Sequence, residues 1–163
     1  MFSLSEFELG AAGLGSFVVA MREVAMADGL EHPDELELIN AMVSESPDYS
    51  GHEIPQVFDA DSVSSPEVGA AFLTVLGLVA VVDGAVQRSE REVIQKYADL
   101  IGLPGQVEAS IRTAILWLLS AFSGVEIFQE ELLSFGEGLG LQRQEIIDFF
   151  ASLPETRGLG SEQ

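Results

Sequence analysis

The chain has 163 residues, of which 47% are hydrophobic, and a formal net charge of −20. This length suits one domain with a substantial core, and the apolar content is too high for a disordered acidic chain. The charge excludes nucleic acid and anionic membrane surfaces as favourable partners, and the lack of cysteine excludes disulfides and thiolate chemistry.

Apolar residues recur at helical spacing along most of the chain, and no stretch alternates like a strand. The periodic stretches span residues 14–25, 36–43, 68–82, 93–101, 107–122, 125–139 and 146–153. They predict an all-α fold, a single-domain bundle of about seven to eight helices. Stretch 68–82 resembles a membrane span in composition, but it would rise only about 22 Å as a helix, so it predicts a buried central helix.

Turn and cap residues mark the limits of these helices. A serine followed by Pro66 predicts the start of the buried helix, and Gly102 followed by Pro104 predicts a helix end. Residues 46–62, rich in Ser, Pro, Asp and Gly, are interpreted as a connector with a short helix near 53–58.

The domain is therefore predicted to span residues 1–153, with a flexible tail at 154–163. The amino-terminal residues lack the basic and long apolar regions of a signal peptide, which predicts a cytoplasmic location. Residues 1–87 contain fifteen Asp or Glu residues and one basic residue, Arg22, whereas the rest contains twelve acidic and six basic residues. This asymmetry favours cations and basic proteins as partners.

An acidic motif occurs twice with a period of 55 residues, as "AMADGLEHPDELELI" from position 25 and "VVDGAVQRSEREVI" from position 81. The alignment pairs Asp28 with Asp83, Gly29 with Gly84 and Glu35 with Glu90. Each copy follows an apolar helix and precedes an amphipathic one. Two copies of such a helix–turn–helix unit predict a bundle with two pseudo-symmetric halves, because a solenoid needs three or more repeats.

Ordinary structural roles account for part of the motif. The glycines can supply the left-handed conformation that ends a helix, and each Asp can accept bonds from backbone amides of its turn. Pro33 suits the first position of a helix and places Glu35 in its first turn, and "SERE" at residues 89–92 can be read as a capping box. However, Asp28 and Asp83 follow helix C-terminal ends, where the macrodipole disfavours a carboxylate by a few tenths of a kcal/mol. A cation between the carboxylates would relieve that cost.

The spacing Asp-Gly-(x)5-Glu equals the second half of a calcium-binding EF-hand loop. A true EF-hand is excluded, because its first acidic ligand positions hold Val24, Met26, Val79 and Val81. A site would have to combine oxygens from both repeats or use water. All-oxygen ligands favour Ca2+ or Mg2+ over Zn2+, and no glycine-rich loop indicates an organic cofactor.

The stretches "VAMADGLEHPDELELI" and "VAVVDGAVQRSEREVI" resemble the signature of the tellurite-resistance TerB-like proteins, over roughly residues 14–153. The resemblance implies an all-helical fold with two pseudo-symmetric halves and a divalent metal site of paired acidic residues. Its implied ligands are Asp28, Glu35, Asp83 and Glu90. It does not imply tellurite binding, since a negative surface disfavours an oxyanion. Arg88 and Arg91 flank Glu90 and could neutralise it in place of a metal.

The sequence therefore predicts a non-enzymatic acidic helical module that binds a divalent cation in a stress-related context. The alternative is a metal-free scaffold that docks a basic protein partner, in which Asp28 and Asp83 only cap turns. A third hypothesis, a carboxylate hydrolase, requires a cleft with two close carboxylates of separated pKa. His32 and His52 are interpreted as surface or capping residues, although His32 adjoins the first acidic turn and could assist there.

Overall fold

The computed structural model describes residues 4–30, 32–47, 49, 53–121 and 129–153 of the chain. Within these ranges the chain forms seven α-helices and no β-strand. The helices are α1 (Gly10–Ala25), α2 (Pro33–Ser44), α3 (Pro66–Val81), α4 (Arg88–Leu100), α5 (Val107–Ser120), α6 (Gln129–Gly138) and α7 (Arg143–Ser152). The predicted all-α, single-domain bundle is confirmed.

Some sequence-based expectations lie outside the described residues. The helix expected at 125–139 is described only from Gln129 onwards. His52 and the expected tail at 154–163 are not described, and neither are positions 48 and 50–52 of the connector.

Helix α3 is the central helix, as its uniformly apolar sequence predicts. Residues 71–81 are all buried, and the helix contacts α1, α2, α4 and α5. Ser65 caps its start by accepting a hydrogen bond from Val68 N at 3.3 Å, and Pro66 occupies the first helical position. Within the described ranges, no helix is both long and apolar enough to cross a bilayer.

The internal repeat forms two helix–turn–helix units, α1–α2 and α3–α4. Helices α1 and α3 both have 16 residues, and an Asp-Gly turn follows each of them. Gly29 and Gly84 have φ values of 83° and 92°, and each glycine N–H donates to the carbonyl oxygen three residues earlier. Helices α5, α6 and α7 follow only the second unit, so the repeat covers residues 10–44 and 66–100.

An aromatic cluster joins the two units in the core. The rings of Phe17 in α1, Phe58 in the connector and Tyr97 in α4 meet around Phe72 in α3, with contacting centroids 4.8 to 5.9 Å apart. The Tyr97 hydroxyl also donates to Glu23 Oε2 of α1. Apolar and polar contacts therefore both fix α4 against α1.

The expectation of a short helix near residues 53–58 is wrong. These residues are not helical, and a 3-10 turn follows at Ala60–Val63. The segment crosses α1 where Gly15 leaves room for the Pro55 carbonyl, and Asp59 N donates to the Ser16 hydroxyl at 2.8 Å. Contacts with α1, rather than helical bonds within the segment, therefore determine its conformation.

Replacing Gly15 by alanine should destabilise the protein by about 1–3 kcal/mol, measured by thermal or urea unfolding. A Cβ at this position would lie 2.3 Å from the Pro55 carbonyl oxygen, and a backbone atom cannot rotate away as the end of a side chain can. Gly138→Ala in α6 is the control, because no described heavy atom lies within 4 Å of its Cβ position. Equal stability of the two variants would contradict the close packing of the connector on α1.

Helices α6 and α7 pack against α5 at the carboxyl-terminal end of the described chain. Gly136 allows α6 to approach α7, since a Cβ there would lie 2.5 Å from Ile146 Cδ1. Arg112 of α5 forms an ion pair with Glu145 of α7. Phe135 of α6 extends to the Asp-Gly turn between α3 and α4, and this contact places α6 beside the acidic residues of the second unit.

Candidate functional site

The two Asp-Gly turns have the same local geometry. Asp28 Oδ1 accepts a hydrogen bond from Leu30 N at 2.9 Å, and Asp83 Oδ1 accepts one from Ala85 N at 3.1 Å. Each aspartate thus closes its own turn with one carboxylate oxygen, as the Asp-Gly pattern predicts.

The two glutamates of the motif lie in the first turns of α2 and α4 and are buried. The exposed fraction is 0% for Glu35 and 3% for Glu90. Pro33 occupies the first turn of α2, which confirms the predicted position of Glu35. In α4 the capping box consists of Gln87 and Glu90, so the box expected at residues 89–92 begins two residues earlier.

The two buried glutamates differ in their hydrogen bonds, although the repeat makes them equivalent. Glu90 Oε2 accepts a bond from Gln87 N at 2.6 Å. For Glu35, neither carboxylate oxygen has a hydrogen-bond partner among the described residues. A buried carboxylate without donors is costly, by several kcal/mol when it is ionised. Glu35 is therefore the polar side chain in this region that most needs a ligand or a proton.

The four acidic residues, which we call the acidic corner, lie close enough for the charges of both aspartates to raise the pKa of both buried glutamates. Burial raises the pKa of Glu90 to about 7; the Gln87 amide opposes this shift, whereas the charges of Asp83, Glu35 and Asp28 add to it. The structure thus brings acids from both repeats into one electrostatic environment.

Burial also raises the pKa of Glu35, and the charges of Asp83 and Asp28 add to the effect. His32 opposes the shift, as does an interaction with the Glu90 carboxyl, which can form a hydrogen bond with Glu35 only when one of the two carries a proton. A bound cation would act in the same direction as His32 and would favour the ionised form.

The basic side chains near the corner pair with other partners. Arg88 Nε donates to Glu92 Oε1 at 2.9 Å, and Arg91 pairs with Glu108 of α5. The expectation that an arginine could neutralise Glu90 is therefore not met among the described contacts.

His32 lies at the corner as the sequence suggested. Its Nε2 is 3.1 Å from Asp28 Oδ2, and the Leu30 amide and His32 together lower the pKa of Asp28. The bond to Asp28 in turn raises the pKa of His32. In the second repeat Gln87 stands at the position of His32, so only the first turn contains an imidazole.

The side chains of the corner are not arranged as a finished coordination sphere. No group of three or more His, Asp or Glu residues in the described part of the chain has the geometry to hold a metal ion. Ion binding at the corner would require side-chain rotations that bring carboxylate oxygens from both repeats around one point. Carboxylate oxygens are nevertheless the donors that Ca2+ and Mg2+ prefer.

Two features of this region were not predicted from the sequence. One is the missing hydrogen bonds of Glu35, which depend on a side-chain rotamer. The other is the contact of Phe135 with the second turn, which depends on the packing of α6. The sequence shows one difference between the two turns. Leu30 in the first turn aligns with Ala85 in the second, so the first turn has a larger apolar side chain next to Asp28.

No protein-family model, curated protein or solved structure matches the chain.

Proposed function

We propose that the chain is a non-enzymatic module that binds one divalent cation, Ca2+ or Mg2+, at the acidic corner of Asp28, Glu35, Asp83 and Glu90. Glu35 carries the proposal, because a fully buried carboxylate whose two oxygens have no hydrogen-bond donor among the described residues needs a positive counterpart when it is ionised. The coupling of both buried glutamates to both aspartates supports a shared ion rather than two separate sites.

The cellular setting belongs to the same proposal. A cytoplasmic role in a stress response follows from the resemblance of the doubled motif to TerB-like proteins. The cation site is independent of that setting, since it rests on the charges and burial of the four acids.

Calorimetric titration of EDTA-treated protein with Ca2+, Mg2+ and Zn2+ tests the cation site. We expect saturable binding of Ca2+ or Mg2+ with one ion per chain, and its loss in an Asp83→Asn variant. Asparagine can still accept the bond from Ala85 N, so this variant keeps the turn and removes the charge. Asp99→Asn, an exposed position at the other end of α4, is the control. Absence of heat and of a melting shift at millimolar ion would contradict the proposal.

The alternative function is docking of a basic protein partner without a metal. The charge of −20 favours it, as does the single basic residue, Arg22, among residues 1–87. This interaction would weaken steeply with salt, because exposed charges are screened beyond about 10 Å at 0.1 M ionic strength.

A carboxylate hydrolase is less well supported. Glu35 and Glu90 are both buried, so neither carboxylate is accessible to a substrate in the described structure. Two described grooves lie elsewhere, beside Lys96 on α4 and beside Tyr49 in the connector.

A further inference from the structure

The two Asp-Gly turns differ in what covers them. In the second turn, residues 81–85, Phe135 Cε2 of α6 lies 3.4 Å from the Cβ position of Gly84. In the first turn, residues 26–30, no described heavy atom lies within 4 Å of the Cβ position of Gly29. The repeat therefore contains one turn with an aromatic side chain packed on it and one turn, which we call the open turn, whose glycine no described residue covers.

Two large apolar side chains are exposed at the open turn. The exposed fraction is 44% for Met26 and 62% for Leu30, whereas Val81, the counterpart of Met26, is fully buried. Single exposed apolar residues are common, but these two flank one glycine. Their place in the repeat corresponds to the turn that α6 contacts in the second unit. The packing of Phe135 on the second turn therefore indicates what kind of element the first turn can bind.

The contact of α6 with the second turn indicates that the partner of the first turn is a helix with an aromatic side chain facing the turn glycine. The charge of the surroundings defines the rest of the partner's chemistry. Asp28 lies within the turn, and Asp34 and Glu37 are exposed on the adjoining helix α2. A second copy of α6 would bring Glu130, Glu131 and Glu137 to this surface and would be repelled. Complementarity therefore requires lysine or arginine beside the aromatic residue.

We propose that Met26, Gly29 and Leu30 form a docking surface for a basic amphipathic helix of a partner protein. The aromatic side chain of that helix packs on Gly29 between Met26 and Leu30, as Phe135 packs on Gly84. Its basic residues face Asp28 and the exposed acids of α2. This inference gives a location to the docking alternative above, and it does not require an ion at the acidic corner.

A peptide based on α6 provides a probe of defined chemistry. It contains residues 129–138 with Glu130→Lys, Glu131→Lys and Glu137→Lys, and a hydrocarbon staple opposite Phe135 keeps it helical, since so short a helix is marginal in water. Fluorescence anisotropy should show saturable binding to the full chain. The unmodified acidic peptide should not bind measurably, and Phe135→Ala in the basic peptide should weaken binding about tenfold or more, as loss of an aromatic anchor does.

Protein variants locate the surface. Met26→Ser combined with Leu30→Ser should weaken binding of the basic peptide about tenfold or more. Ile147→Ser on α7, which removes a side chain of 42% exposure, is the matched control and should leave binding unchanged. Absence of binding to the wild-type chain, equal binding by the double variant, or equal binding of the Phe135→Ala peptide would each overturn the proposal.

Two further measurements separate this proposal from the cation site. The Met26→Ser and Leu30→Ser double variant should bind Ca2+ or Mg2+ as the wild type does. The Asp83→Asn variant should bind the basic peptide to within about threefold of wild type, because it keeps Met26, Leu30 and Asp28 and removes only one nearby charge, which salt partly screens. If the wild-type chain bound the basic peptide but showed no response to Ca2+ or Mg2+, the cation proposal would be contradicted and the docking proposal would stand.

Discussion

A Glu35→Gln variant is expected to be more stable than the wild-type chain in EDTA at pH 8 and to lose the stabilisation that Ca2+ gives the wild type. The wild-type carboxylate is fully buried and neither oxygen has a described hydrogen-bond partner. Glutamine has the same shape and no charge, and its amide group can donate to the neighbouring carboxylates. We expect a gain of about 1–3 kcal/mol, or roughly 3–10 °C in melting temperature for a domain of this size.

Although the Glu35→Gln variant should be more stable without metal, Ca2+ should stabilise it less than the wild type. At a free Ca2+ concentration one hundred times the Kd, binding should stabilise the wild type by about 2.7 kcal/mol, and the variant by almost nothing. Glu37→Gln, an exposed position on the same helix, removes an equal charge and is the control. A Glu35→Gln protein that keeps the full Ca2+ response would show that Glu35 is not a ligand.

A gain in metal-free stability together with a loss of the Ca2+ response would indicate that Glu35 is retained for binding rather than for folding. A structural glutamate at a helix start normally accepts a backbone hydrogen bond, as Glu90 does from Gln87. Glu35 occupies the equivalent position in the repeat, and no described residue donates such a bond to it. The two units agree in their turns and helix starts, so the position where their hydrogen bonding differs, Glu35, is the one to associate with function.

Local physics explains why much of the fold could be predicted from the sequence. Helix spacing and the caps at Ser65 and Gly102 depend on neighbouring residues, and these features appear where expected. The turns at Gly29 and Gly84 were predictable for the same reason, because only a residue without a Cβ adopts a positive φ readily.

The remaining features depend on contacts between distant parts of the chain. Residues 53–58 carry no local signal for the extended path that Gly15 and Ser16 impose. The repeat likewise could not show that Phe135 of the carboxyl-terminal helix α6 packs on the second turn. Sequence proposed the four acids as a set, but the different bonding of Glu35 and Glu90 required coordinates.

The metal-free protein should lose stability as the pH rises from about 5 to 8. Burial raises the pKa of Glu90 from 4.5 to about 7, so between these values the folded chain holds a proton that the unfolded chain has released. The stability contributed by that proton is fully present below pH 4.5 and is lost as the pH passes through 7. Glu90 is 3% exposed, and a shift from 4.5 to about 7 corresponds to roughly 3 kcal/mol.

Urea unfolding in EDTA at several pH values would measure this loss of unfolding free energy, and Glu90→Gln should make the loss smaller by that amount. Glutamine can still accept the hydrogen bond from Gln87 N, so the start of α4 is preserved. Glu92→Gln, an exposed position one turn away, should retain the wild-type slope. Saturating Ca2+ should also flatten the wild-type profile, because an ion and a proton compete for the same carboxylates. Parallel profiles for wild type and Glu90→Gln would mean that Glu90 ionises as an ordinary surface glutamate, and its assignment to a buried acidic corner would then be wrong.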